Sequence, residues 1–164
     1  MAKNIALTFT CRGRSRILRD GGSGDWTINP GRAIDNVEYV VCCQNLNPKR
    51  SGNDWGSATH KHGEGFIVGR VKDVSQVDTA PGEKKRYRFV FSEYAEIDVE
   101  GMWGKQRFPV QYLHEKDLPF DIQSLDFKPV PHFEPENRTF SLVEAKTAIA
   151  SHHGIEASQV KIIL

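Results

Sequence analysis

The sequence is poor in cysteine and in long apolar runs, and it carries almost no net charge. Three cysteines among 164 residues, two of them adjacent, do not make the disulfide framework of a small secreted domain. No window approaches the roughly eighteen apolar residues of a membrane-spanning helix. The first ten residues lack the apolar core of a signal peptide. These absences favour a cytoplasmic protein with no membrane partner.

Basic residues are unevenly placed, although 22 lysines and arginines nearly balance 21 acidic residues. Arg12, Arg14, Arg16 and Arg19 lie in a glycine-rich segment before Trp26. Such a run is typical of a solvated loop, and contact with phosphate is the functional alternative. The length suits a single domain over residues 1–164.

Alternating and β-branched segments predict the strands. Apolar residues at every second position from Ile5 to Phe9 indicate a half-buried strand. The nearly continuous apolar run Val37–Cys43 predicts a central strand covered on both faces. Glu64–Val74 predicts a long strand that bends at its glycines, and the turn at Pro81-Gly82 predicts a hairpin with Arg86–Phe91.

The remaining chain predicts connections and one clear helix. Arg12–Arg32 is rich in glycine and predicts a long connection with at most a short helical turn. A capping box at Ser141 and a glycine at position 154 predict an amphipathic helix from about Leu142 to His153, whose apolar face carries Leu142, Ala145 and Ile149. Val160–Leu164 predicts a final strand. The predicted fold is α+β: a small, curved, mostly antiparallel β-barrel packed by the C-terminal helix.

Two histidines before the long strand offer a metal hypothesis. If the strand pattern already holds there, His60, His62 and Glu64 lie on one face, because side chains two residues apart share a face. Imidazole and carboxylate groups are ligands for transition metals. Exposed loop histidines are the simpler interpretation, so we expect no cofactor and keep this trio as the alternative.

Aromatic and basic residues together favour recognition of a nucleic acid. The tryptophans stand beside glycine or aspartate in predicted loops, where they form stacking walls for a base or else close the ends of the barrel. The pocket candidates are Trp26, Trp55, Phe66, Tyr94 and Trp103. The candidates for phosphate contact are Arg12, Arg14, Arg16, Arg70 and Arg107.

The order of these segments resembles the PUA-like superfamily of EVE, ASCH and YTH types. The resemblance rests on the strand Val37–Cys43, the loop with Trp55 and the strand Gly63–Val71. The part from Phe91 to Leu164 is similar to uncharacterised bacterial proteins that we associate with that superfamily. The resemblance implies a small curved barrel in which a flipped, often modified base enters an aromatic pocket.

The sequence therefore predicts a nucleic-acid-binding module that recognises a modified or flipped base. One alternative is a metal-dependent or ASCH-like hydrolase that acts on nucleotides or RNA through His60, His62 and Glu64. Another is a protein-interaction module with exposed aromatic residues. No catalytic residue is assigned, and the sequence does not distinguish DNA from RNA or fix an oligomeric state.

Overall fold

The computed structural model describes residues 3–47, 58–132 and 141–163. The chain divides into two compact units, Met1–His132 and Phe133–Leu164, where the sequence predicts a single domain. Within these described ranges, none of the helices combines the length and the apolar content that crossing a lipid bilayer requires.

The first unit holds the sheet and two short α-helices. Its strands are β1 (Ile5–Thr10), β2 (Gly22–Trp26), β3 (Tyr39–Gln44), β4 (Gly65–Val77), β5 (Arg86–Val99), β6 (Val110–Leu113) and β7 (Lys128–Pro129). Its α-helices are α1 (Arg14–Asp20) and α2 (Pro30–Asn36), and Glu115–Asp117 and Ile122–Ser124 form single turns of 3-10 helix. The predicted strands Ile5–Phe9, Val37–Cys43 and Glu64–Val74 correspond to β1, β3 and β4.

One curled, mixed sheet organises this unit. Its strand order in the described residues is β2-β5-β4-β3-β1-β6, and β7 pairs with the outer side of β5. β1 and β3 are parallel, and the other pairs are antiparallel. The sheet curls into a half-barrel, so the α+β class and the predominance of antiparallel pairs are confirmed, while the expected barrel is only partial.

The central strand β3 separates two apolar cores. All six of its residues are buried. Val40 and Cys42 belong to the first apolar core, which also receives buried side chains from α1 and α2. Val41 and Cys43 belong to the second apolar core, which is covered by side chains of residues 113–127. The prediction that both faces of this strand are covered is confirmed, because alternate side chains enter different cores.

The segment Arg12–Arg32 is not the long connection that its glycines suggested. It contains α1, β2 and the start of α2. Gly21 ends α1 in the left-handed conformation with φ of 75°. A Cβ atom at Gly22 would lie 1.9 Å from the backbone oxygen of Phe89 in β5, so this glycine permits close strand contact. The predicted loop is therefore wrong at Gly22 and Gly24, which belong to β2.

The second unit is built around helix α3 (Leu142–His153). Ser141 and Glu144 form a reciprocal capping box, and Gly154 ends the helix with φ of 65°. The predicted apolar face needs correction, because Leu142 and Ile149 are exposed while Ala150 is buried. The predicted final strand is wrong over 160–163, which have no strand assignment after a 3-10 turn at Ala157–Gln159.

A pair of glycine substitutions tests the close approach of β2 and β5. Gly22→Ala should lower the free energy of unfolding by about 3 kcal/mol or more, because the methyl group meets backbone atoms that have little room to move. Gly31→Ala is the matched control in α2, where the nearest atom lies 3.6 Å away. It should be neutral or stabilise by up to about 1 kcal/mol. Urea denaturation measures both, and equal effects would contradict the assignment of β2.

Candidate functional site

Four arginines surround two aspartates where α1, β2 and β5 meet. We call this set the arginine cluster, and its members are Arg12, Arg16, Arg86 and Arg88 with Asp20 and Asp25. The two carboxylates come from the end of α1 and from β2, and two of the arginines come from the start of β5. The cluster therefore depends on β2, which places Asp25 beside β5.

Arg12 is the buried centre of the cluster, with a side chain only 5% exposed. Its Nη2 lies 3.1 Å from Oδ2 of Asp25, and its Nη1 lies 3.4 Å from Oδ2 of Asp20. A buried guanidinium requires such partners, because the loss of water around an unpaired charge is costly. Arg12 therefore ties the start of α1 to both carboxylates.

The other three arginines lie closer to solvent. Arg16 Nε lies 2.7 Å from Oδ2 of Asp20, and its side chain is 20% exposed. Arg88 Nη2 lies 3.2 Å from Oδ1 of Asp25, with the side chain 25% exposed. Arg86 is exposed and donates from Nη1 to the backbone oxygen of Asp25 at 3.2 Å. Three of the four guanidiniums of the cluster are thus held in place while they remain partly accessible from solvent.

Arg12 and Arg88 lower the pKa of the Asp25 carboxyl group. Burial alone would raise the pKa of its carboxyl group, but hydrogen bonds and charge from Arg12 and Arg88 outweigh this effect. The net result is a pKa below the ordinary value of 3.8. The carboxylate remains ionised at neutral pH, and its two oxygens accept from different arginines.

The structure brings two of the five predicted phosphate contacts, Arg12 and Arg16, into the cluster. Arg14, Arg70 and Arg107 lie outside it. Arg14 pairs with Glu96 and lies over the Tyr94 ring. Arg70 pairs with Glu93, and Arg107 lies over the ring of Phe108. The five predicted arginines therefore do not lie on one surface.

Sequence reasoning missed Arg86 and Arg88 as members of a site. A signal was present, because alternation along β5 places both arginines on one face. Asp25 has no sequence signal of this kind, because the glycines around β2 predict a loop. The three-way meeting of α1, β2 and β5 involves contacts more than sixty residues apart in sequence.

The predicted aromatic pocket is not assembled among the described residues. Phe66 and Tyr94 are buried in the first apolar core, and Trp26 packs against it. Trp103 lies in the second apolar core, on the other face of the sheet. Trp55 lies outside the described residues. The expectation that these rings share one pocket therefore needs correction for Trp103.

The two described tryptophans have structural contacts. Trp26 ends β2, and its indole nitrogen donates to Oγ of Ser23 at 3.1 Å. Trp103 stacks on Phe9 with ring centroids 4.7 Å apart and an interplanar angle of 10°. Trp26 is half-buried and lies next to Asp25 in the chain, so it is the candidate ring nearest to the arginine cluster in sequence.

The two predicted histidine ligands separate in the structure. The chain from 60 to 64 forms a turn rather than a strand, and Gly63 has φ of 83°. His60 and Glu64 nevertheless lie together, joined by Asp98 from the end of β5. His62 turns away, and its Nδ1 accepts from the backbone N–H of Leu46 at 3.1 Å. The predicted trio is therefore corrected by replacing His62 with Asp98.

The cysteines of β3 offer no nucleophile. Both thiols are buried. Burial raises the pKa of Cys42 to about 11, although hydrogen bonds with Thr8 and Ser23 oppose the increase. Burial also raises the pKa of Cys43 far above its ordinary value. Both cysteines therefore act as packing residues of the two apolar cores.

A wide groove lies elsewhere in the first unit, with a volume of about 1190 Å³. Its charged lining is mostly acidic, and consists of Asp35, Glu38, Glu115 and Asp121, with Lys116 opposing them. Such a surface repels a polyanion. The arginine cluster is therefore better suited than this groove to phosphate.

Acid titration tests the ion pairs of Asp25. Because its folded-state pKa is lowered, its contribution to stability is present above the unfolded pKa near 3.8 and is lost as pH falls through the folded-state pKa. The wild type should therefore exceed Asp25→Asn in unfolding free energy at neutral pH, and the difference should shrink below about pH 4. Urea denaturation across pH measures it. Asp126→Asn, at an exposed position, is the control, and a difference that stays constant on acidification would contradict the network.

The chain matches no protein-family model, no curated protein and no solved structure.

Proposed function

We propose that the protein is a PUA-like nucleic-acid-binding module that contacts the phosphate backbone through the arginine cluster. The observation that carries this proposal is a partly exposed group of three guanidiniums, those of Arg16, Arg86 and Arg88, that are held in place where α1, β2 and β5 meet. Guanidinium groups form paired hydrogen bonds with phosphate oxygens, and such contacts dominate nonspecific affinity for nucleic acids.

The three outer arginines are suited to phosphate contact because their positions are already fixed. Arg16 and Arg88 each pair with a carboxylate, and Arg86 is anchored on a backbone oxygen. An arginine that is held in place loses less conformational freedom on binding than a free one. Arg12 is too deeply buried to touch a ligand directly, so its role is to hold the carboxylates that order the others.

The partial barrel of the first unit supports the PUA-like assignment in this proposal. Base recognition, if it follows the resemblance, rests on Trp26 among the described rings. Trp26 is half-buried and pairs across the strands with Tyr87, which lies between Arg86 and Arg88 in β5. An aromatic ring beside phosphate-binding arginines is the usual arrangement for single-stranded nucleic acids.

Arg86→Gln tests the phosphate contact directly. The variant should bind single-stranded DNA or RNA about three- to tenfold more weakly at low salt, because one charged hydrogen bond to phosphate is lost. The slope of log affinity against log salt concentration should fall by about one. Fluorescence anisotropy with labelled oligonucleotides measures both quantities, and thermal unfolding verifies that the exposed substitution leaves the fold intact.

Arg107→Gln is the matched control, since it removes an exposed arginine outside the cluster. Its affinity and salt slope should remain close to the wild type. Equal losses in both variants would overturn the assignment to the cluster. The absence of measurable binding by the wild type at low salt, with single-stranded and double-stranded DNA and RNA, would overturn the proposed function as a whole.

A further inference from the structure

We infer that His60, Glu64 and Asp98 form a binding site for a divalent transition-metal ion, of the class of Zn²⁺ or Mn²⁺. Each residue offers one ligand atom, and these three atoms all lie within 4.8 Å of one another. The site goes beyond nucleic-acid binding and does not require it. It combines two residues from the turn before β4 with one from the end of β5.

Two of the three side chains are held in place, and the third can move toward a bound ion. Ligands around a four-coordinate zinc ion stand roughly 3.4 Å apart, so the group must contract when the ion enters. Asp98 is exposed and can rotate toward the other two. His60 and Glu64 are held by their surroundings, and they define where the ion sits.

The orientation of His60 is fixed by two contacts. Its Nδ1 lies 2.9 Å from the hydroxyl oxygen of Thr59. Its ring stacks on the buried ring of Phe66, with centroids 4.7 Å apart and an interplanar angle of 16°. Metal-binding histidines usually use one ring nitrogen for such a second contact and the other for the ion. The contact with Thr59 leaves Nε2 of His60 for the metal.

Glu64 provides an oriented and nearly buried carboxylate, only 8% exposed. Its Oε2 accepts from the backbone N–H of Lys61 at 3.1 Å, and the backbone N–H of Glu64 donates to the oxygen of Lys61 at 3.0 Å. The turn therefore fixes the carboxylate in the same way that outer hydrogen bonds orient metal ligands. The second oxygen can face the ion.

The surrounding charge also favours a cation. The ammonium group of Lys61 is paired with the carboxylate of Glu100. Glu64 and Asp98 instead lie together beside His60. A divalent ion between Glu64 and Asp98 would balance the two negative charges that remain.

The donor set points to the class of ion. One imidazole and two carboxylates suit Zn²⁺, Mn²⁺ or Fe²⁺, whereas Mg²⁺ and Ca²⁺ prefer oxygen ligands alone. Three protein ligands with one exposed member leave a coordination position open to water or to a small ligand. The arrangement is therefore that of an accessible centre rather than a closed structural one.

The sharpest test compares Asp98→Asn with His62→Gln. His62 is the nearest histidine to His60 in sequence, but its ring contacts Phe9 and the Leu46 backbone instead of the site. Chelator-treated protein without a histidine tag is titrated with ZnCl₂ and MnCl₂ by calorimetry, with MgCl₂ as the comparison. The wild type and His62→Gln should bind one Zn²⁺ per chain, and Asp98→Asn and His60→Gln should bind at least tenfold more weakly.

Thermal unfolding with and without ZnCl₂ provides an independent measurement. An ion that binds only the folded chain raises its melting temperature, so the wild type should shift and Asp98→Asn should shift much less. Asp98 is exposed, so its replacement should leave the metal-free melting temperature unchanged. Failure of the wild type to bind Zn²⁺ or Mn²⁺ at micromolar concentration would overturn the inference, as would unchanged affinity in Asp98→Asn. These measurements contain no nucleic acid, so they succeed or fail independently of the proposed function.

Discussion

The buried guanidinium of Arg12 is the constraint on which the first unit depends. A charge that is 5% exposed must be paired, and its partners Asp20 and Asp25 come from two different elements. The pairing holds α1 and β2 together beside β5. It also fixes the carboxylates on which Arg16 and Arg88 rest. The surface charge of the cluster is therefore a consequence of how one interior charge is satisfied.

Strand β5 separates the two proposed sites by its length. Arg86 and Arg88 stand at its start, and Asp98 stands one residue before its end. Asp98 lies ten positions after Arg88, and an extended strand rises about 3.3 Å per residue, so these positions are separated by up to roughly 33 Å. A phosphate at one end and a cation at the other would interact only weakly at physiological salt.

The parts of the fold that could be predicted are those with strong local signals. Alternation identifies β1, continuous β-branched residues identify β3, and the capping box at Ser141 identifies the start of α3. β2 has no such signal, because Gly-Ser-Gly is a poor strand sequence taken alone. β2 is a strand because it pairs with β5, where Gly22 lies close to the backbone of Phe89. This is a contact between segments that are distant in sequence. Local patterns cannot reveal a contact of that kind.

The candidate sites follow the same division between local and distant information. The period-two expectation placed His62 with His60, but residues 60–64 form a turn instead of a strand, and His62 contacts Phe9 and the Leu46 backbone. Glu64 remains in reach of His60 because the turn brings residue 64 back toward residue 61 through a backbone hydrogen bond. The third member comes from a paired strand 34 residues later. Local sequence patterns therefore indicate two of the three proposed ligands, and only the antiparallel pairing of β4 with β5 identifies the third.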